Sequence, residues 1–271
     1  MGALSRSAIG HECLMPRDWR PLRVLDLIPV VYTRGLQDAL DDRKKLARGL
    51  SLQTAGKIRL DFDSLTKGTV SIEDSYDEAL NIPYILEKMR AAETKQYSAV
   101  VIDCFGDPGL EAARELVRIP VVGAAQSACH LAAQLAPRFS IINTVPEFAH
   151  IDHELMVKYG LTQQLASVVT VDIPVLALES QRGRTTSVMV RAAEKAVLQD
   201  GAQAIVLGCT GMSSLAAAME TRLATKGLHV PIVEPLRAAV YTAVALVLAD
   251  LSHSKRAFMP PRAKRRVIAS S

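Results

Sequence analysis

The chain has 271 residues, 49% of them apolar and 22% charged, and a formal net charge of +4. That length can hold one large domain or two lobes with separate cores, and the apolar content excludes a disordered chain. Six basic residues crowd into "SKRAFMPPRAKRR" (254–266); the remainder is close to neutral, so composition makes no case for nucleic-acid binding, and the run reads as a solvated terminus.

In chain order, short aliphatic runs alternate with helical patterns, the signature of parallel α/β architecture. "PLRVLDLIPV" (21–30) reads as the first strand, "GLQDALDDRKKLARGL" (35–50) as an amphipathic helix and "GKIRLDFDSL" (56–65) as the second strand. "SIEDSYDEALNIPYILEKMRAAE" (71–93) is helical, with Pro83 expected to break or kink it. "AVVID" (99–103) is the third strand, "DPGLEAARELV" (107–117) a helix and "IPVVGA" (119–124) a further strand. A second series follows: helix "SACHLAAQLA" (127–136), strand "FSIINT" (139–144), helix "PEFAHIDHELMVKYG" (146–160) closed by Gly160, and extended "ASVVTVDIP" (166–174). Helix "SQRGRTTSVMVRAAEKAVLQDG" (180–201), strand "AIVLG" (204–208), helix "SSLAAAMETRLATKG" (213–227), strand "VPIVE" (230–234) and helix "LRAAVYTAVALVLADL" (236–251) complete it.

The two series predict two similar parallel α/β lobes facing each other across a cleft. The expected division is an N-terminal extension (1–20), a first lobe (21–121 plus 233–252, the last helix returning to it), a second lobe (122–232) and a basic tail (253–271). Residues 1–20 carry Arg6, His11, Glu12, Arg17, Asp18 and Arg20, which is no signal-peptide core. No apolar run approaches the roughly 20 residues of a membrane span, so no membrane partner is expected. Cys13, Cys104, Cys129 and Cys209 form no Cys-x-x-Cys pair and have no His at ligand spacing. They predict a reduced, cytoplasmic protein without a disulfide framework or a metal centre.

"AVVIDCFGDPGL" (99–110) and "AIVLGCTGMSSL" (204–215) share one grammar: Ala, three aliphatics, one residue, Cys, any residue, Gly, three residues, Leu. In parallel α/β sheets ligands bind beyond the carboxyl ends of the strands, where this pattern puts Cys104 and Cys209. Asp107-Pro108 fits an N-cap followed by Pro at the first helical position, and Ser213 or Ser214 could cap the second helix. A thiol beside a helix N-terminus is expected to favour thiolate. Two thiols across a cleft can remove a proton from one face of a carbon and return one to the other. The carbon must be acidic, hence next to a carbonyl, with backbone N–H groups around Gly106 and Gly211 available for the enolate. A lone cysteine at a strand end is usually inert core; that reading is kept for Cys13 and Cys129, and the repeated context argues against it for the other two.

These segments resemble the aspartate/glutamate/hydantoin racemase superfamily, most closely its hydantoin racemase branch. "DCFGDPGLEAARE" (103–115), "IPVVGAAQSA" (119–128), "IPVLALE" (173–179) and "IVLGCTGMSSLA" (205–216) carry the likeness, and "KGTVSIEDSYDEAL" (67–80) adds to it. The resemblance implies two Rossmann-like α/β lobes related by a pseudo-twofold axis with the site between them, homo-oligomers, and cofactor-independent racemisation by Cys104 and Cys209. It implies substrate contacts from Phe105, Gly106, Thr210 and Gly211, and from near Pro29, Gly68 and Ser71. The chain departs from the branch at "IPVVYT" (28–33), where Ile28 opens a segment usually Asn-Pro-Asn-Thr, and at "GTVSIE" (68–73), which lacks the usual proline. It departs again at Gln126, usually Glu, and at "VEP" (233–235).

The expected substrate is a 5-substituted hydantoin or related cyclic ureide. Alternatives are an allantoin or amino-acid racemase, a decarboxylase or cis–trans isomerase of the same superfamily, and a non-catalytic small-molecule-binding homologue. His150, His153 and Glu154 have no third ligand for a metal and read as solvated. Asp103 reads as a hydrogen-bond partner at the sheet end, and Glu73 as a first-turn partner of the helix dipole.

Overall fold

The computed structural model describes residues 21–33 and 37–266. The expected extension at 1–20, Cys13 included, lies outside the described residues.

The first half runs β1 (Leu22–Val31), α1 (Gln37–Gln53), β2 (Ile58–Leu65), α2 (Ser75–Thr94), β3 (Ala99–Ile102), α3 (Leu110–Leu116) and β4 (Val121–Gly123). The second runs α4 (Ala124–Leu135), β5 (Phe139–Asn143), α5 (Ala149–Lys158), β6 (Leu165–Thr170), α6 (Arg182–Leu198), β7 (Ala204–Leu207), α7 (Ala216–Ala224), β8 (Ile232–Val233) and α8 (Pro235–Leu248). Two four-stranded sheets form, ordered β2-β1-β3-β4 and β6-β5-β7-β8, with every pairing parallel. The orders are identical under the exchange of β1–β4 for β5–β8, so the duplication expected from the sequence is a duplication of topology.

Alternation along the strands builds both faces of each sheet. In the first, Val24 and Val101 pack with Leu50 of α1 and with Leu236, Ala239, Val240 and Ala243 of α8. On the opposite face, Leu25, Leu27, Val100 and Ile102 pack with Ile85 and Met89 of α2 and Ala113 of α3. In the second, Ile141 and Val206 meet α4 and α5, while Ile142, Ile205 and Leu207 meet α6 and α7. β4 ends at Gly123, where α4 begins and packs against the second sheet, and α8, which follows β8, packs against the first. Ile28, Val30, Ile72 and Phe105 join the α4–α5 cluster across the cleft, so the two lobes share a core.

Pro83 lies inside α2 and leaves it one continuous helix. The C-terminal run is not wholly solvated. Lys255 Nζ donates to the Arg114 and Val117 carbonyls, both at 2.5 Å, at the end of α3. His253 Nε2 lies 2.9 Å from the Val121 nitrogen and 2.8 Å from its oxygen, and Phe258 stacks edge-on with His253 under the Arg114 guanidinium. A cation at the end of a helix complements its negative pole, which accounts for the docking of this charged segment. No helix among the described residues is long and apolar enough to cross a membrane.

Candidate active site

In a 2-1-3-4 order the chain reverses direction across the sheet between β1 and β3, the topological switch point at which open α/β sheets bind ligands. Cys104 follows β3, and Cys209 follows β7 at the matching point of the second sheet. Both thiols are half-buried, free, and line one cavity of about 70 Å³. Four strand ends contribute to it in register. Ile28, Pro29 and Val30 come from β1, Asn143 and Thr144 from β5, Asp103 to Phe105 from beyond β3, and Gly208 to Gly211 from beyond β7. Val70, Ser71, Ile72 and Val175 close it from the loops, with Phe148 and Arg43 completing the wall.

Of the expected contact residues, Pro29, Ser71, Phe105, Thr210 and Gly211 line this cavity with the two cysteines. Gly68 and Gly106 are not among the lining residues. Gly68 holds a φ of +123°, and a Cβ there would lie 2.3 Å from Asn81 Oδ1. Asn81 Oδ1 accepts from the Thr69 N–H while its Nδ2 donates to the Pro29 carbonyl, so Gly68 serves the loop that places Val70 to Ile72. Gln126 lies away from the thiols, in a wider groove of about 990 Å³ along α4, α7 and α8, where it accepts from Arg114 Nη2.

The expected capping is corrected at both cysteines. Asp107 has a φ of +50° and does not cap α3, which opens at Leu110 behind Gly109. The Asp107 carboxylate instead accepts from the Ala125 and Gln126 N–H groups in the first turn of α4, at 3.0 and 2.9 Å, and from the Tyr159 hydroxyl at 2.6 Å. Beyond β7 neither serine caps α7. Cys209 itself caps the 3-10 turn Thr210–Leu215, its Sγ accepting from the Gly211 N–H at 3.4 Å, while Ser213 donates to the Thr210 carbonyl and Ser214 to Glu179.

Burial opposes the expected thiolates at both positions. Burial, then the charge of Glu78, push Cys104 well above the ordinary thiol range. Burial pushes Cys209 up to about 11, against the opposing pull of the Gly211 N–H. Desolvation of a charged form outweighs one or two hydrogen bonds from the turn.

Two arrangements were hidden from sequence reading. Arg43 of α1 reaches the sheet end, buried, and donates to Asp103 Oδ2 through Nε at 2.5 Å and through Nη2 as well. Its Nε also lies 3.6 Å from Asp26 of β1, whose carboxyl is pushed well up by burial and by Asp103. Asp103 is thus the sheet-end partner expected, and its carbonyl accepts from Thr210 Oγ1 across the cleft at 3.3 Å. Glu73 is not a first-turn residue, since Asp74 caps α2. It reaches the other lobe, where Oε1 accepts from the Val175 N–H at 2.6 Å. His150 stands 3.1 Å from Ser75 Oγ, and no metal-binding cluster occurs among the described residues. Asn143 and Thr144 could have been found by the rule that exposed Cys104, because "FSIINT" is also an aliphatic run that ends in polar residues. Asp152 anchors Asn143 by accepting from Nδ2 at 2.8 and 3.0 Å.

Two parallel sheets of one strand order, with a cysteine beyond the third strand of each, define a duplicated α/β fold with one cavity between the strand ends. A family model described as "Asp/Glu/Hydantoin racemase" matches residues 33–243. The hydantoin racemase of Rhizobium meliloti is 40% identical over 200 residues, 73% of this chain and 81% of that one. The allantoin racemase from Klebsiella pneumoniae superposes with a TM-score of 0.80 at 34% identity, over 90% of this chain and 95% of that one. That from Pseudomonas fluorescens gives 0.81 at 26%, over 91% and 100%. The chain belongs to the Asp/Glu/Hydantoin racemase family, and its activity class is that of a racemase.

Proposed function

We propose that the chain racemises a 5-substituted hydantoin or related cyclic ureide, without a cofactor, by proton transfer between Cys104, Cys209 and one carbon. The observation that supports this most is that the two thiols line one cavity from matching points of two sheets of the same order. One sulfur, as thiolate, takes the proton from the carbon next to the carbonyl. The electrons pass into the carbonyl as an enolate, and the other thiol gives its proton to the opposite face. Backbone N–H groups of the turns after β3 and β7 are the donors available to the enolate oxygen.

The cavity wall supports a neutral ring. Ile28, Val30, Val70, Ile72, Phe148 and Val175 are apolar, and among the described lining residues the only cation, Arg43, already engages Asp103. The side-chain carboxylate of an acidic amino acid would find no uncommitted charge there. Pro29, Ser71, Phe105, Thr210 and Gly211 are the proposed substrate contacts, and Gly68 and Gly106 support them from behind. Assembly as a homo-oligomer and a cytoplasmic location belong to the same reading, supported by family membership.

The test is deuterium exchange at the stereocentre of each enantiomer, on a panel of hydantoins, allantoin, aspartate and glutamate. Cys104→Ser and Cys209→Ser are each expected to lose racemisation by roughly a thousandfold or more, the scale of removing an acid–base group. Each should keep exchange on a single enantiomer. Full racemisation by either variant would overturn the two-base assignment, and turnover of aspartate alone would overturn the substrate. Because the base form is the minor one below about 11, kcat/KM is expected to rise with pH through the alkaline range.

A further inference from the structure

The two thiols do not share the same electrostatic surroundings. Beside Cys104 lies Glu78 of α2, whose buried Oε1 has no hydrogen-bond partner. It presses on the turn after Cys104 so closely that a Cβ built on Gly106 would stand 1.9 Å from it. The Phe148 ring lines the same spot. The charged groups facing Glu78 are Asp107 from the turn after β3 and Lys158 and Glu154 from α5. Lys158 Nζ is engaged by Glu111 at 2.7 Å. Cys104 therefore sits among carboxylates. Cys209 sits beside the Arg43–Asp103 ion pair and also feels Glu73; the two sulfurs are alike only in that each meets a backbone N–H, Cys104 that of Gly106 and Cys209 that of Gly211.

Building on the racemase reading, we propose that Glu78 is a positioning residue for Cys104: its buried, unpartnered Oε1 against the Gly106 turn holds Cys104 as the thiol, so that Cys209 is the first of the pair to ionise. The free chain would then rest with Cys104 as proton donor and with Cys209 as the sulfur that becomes the base. No oxidation state changes in this step; the Cys209 S–H bond breaks with its electron pair left on sulfur and its proton passed to solvent, and Cys104 retains its own proton. Burial and Asp107 raise the Glu78 carboxyl to about 7, so this influence switches on near neutral pH. Below that point a protonated Glu78 leaves Cys104 easier to ionise.

Iodoacetamide alkylation of the full chain between about pH 6 and 9, with each cysteine quantified by peptide mass spectrometry, reads thiolate population without substrate. Cys209 is expected to react about tenfold faster than Cys104. Glu78→Gln should raise the Cys104 rate several-fold to about tenfold and move the Cys209 rate by less than about twofold, the effect of a like charge removed at close range. Glu78→Asp, which keeps the charge, should leave Cys104 slow. Equal or faster reaction of Cys104 in the wild type would overturn the proposal. So would an unchanged Cys104 rate in Glu78→Gln, or the same rise in Glu78→Asp, which would mark packing rather than charge. Should Glu78→Gln fail to fold, the wild-type profile decides: log rate against pH for Cys104 must flatten near pH 7 relative to Cys209, and parallel lines refute it. Loss of the racemase reading would show in the exchange assay and leave these rates untouched.

Discussion

At the scale of single residues, the site depends on side chains reaching far from their own elements. Asp107 is the clearest case. Its carboxylate completes the N-terminus of α4, and Gly123 makes the room, since a Cβ there would fall 2.4 Å from Asp107 Cγ. Gly123→Ala is expected to destabilise the fold by about 1–3 kcal/mol through overpacking, lowering Tm by a few degrees for each kcal/mol in a chain of this size. Thermal unfolding followed by circular dichroism measures it, and an unchanged Tm would show that the turn yields freely. The cysteines were legible because a repeated strand–Cys–x–Gly pattern marks the sheet edge by periodicity alone. Arg43, Glu73 and Glu78 were not legible. Each lies on or beside a charged helix where a solvated role is the ordinary one, and only the third dimension turns it inward. The thiol ionisation was misjudged for the same reason, since a nearby turn can be read from sequence and the depth of burial cannot.

At the scale of elements, strands and helices were legible almost throughout, because apolar period distinguishes a two-faced strand from an amphipathic helix. Their ends were less so. The cap of α4 comes from a loop 16 to 17 positions before that helix begins, as the places of Asp107 and Ala124 show, and no local motif encodes it. The C-terminal segment is a second instance: a basic run reads as solvated until α3 offers its carbonyl end. His253 gives this docking a pH dependence. Burial and the neighbouring Arg114 lower its pKa from 6.5 to about 4, so the unfolded chain binds more protons than the folded one between those values. Its contribution is therefore present above about pH 6.5 and is lost as pH falls toward 4. Buried carboxyls with raised pKa, Asp107 at about 6 and Asp152 at about 8, act in the opposite direction. The measurement is accordingly a difference: the Tm gap between wild type and His253→Gln should shrink from pH 7.5 to pH 5, and a constant gap would refute the assignment.

At the scale of the whole molecule, the lobes are held over the cleft by Glu73 and Val175, and by Ser75 and His150. A cavity of about 70 Å³ is far below the ~300 Å³ and upward of ordinary ligand sites. On the proposed ring substrate, entry requires the segment bearing Glu73 to part from Val175, and Ser75 of α2 from His150 of α5. A hydrogen bond to a charged acceptor is worth about 1.5–3 kcal/mol, less where water reaches it. Glu73→Ala is expected to raise KM roughly tenfold with a smaller change in kcat. Steady-state kinetics on the substrate found in the exchange panel tests this, and an unaltered KM would remove Glu73 from closure.

Asp107 gives the two lobes a spine. It belongs to the first lobe by its place after β3, yet its acceptors are filled from α4 and from Tyr159 just beyond α5. The chain passes from β4 to α4 close by, at Gly123–Ala124. One margin of the two sheets is thus bound like the spine of a book, by a carboxylate rather than by the chain alone.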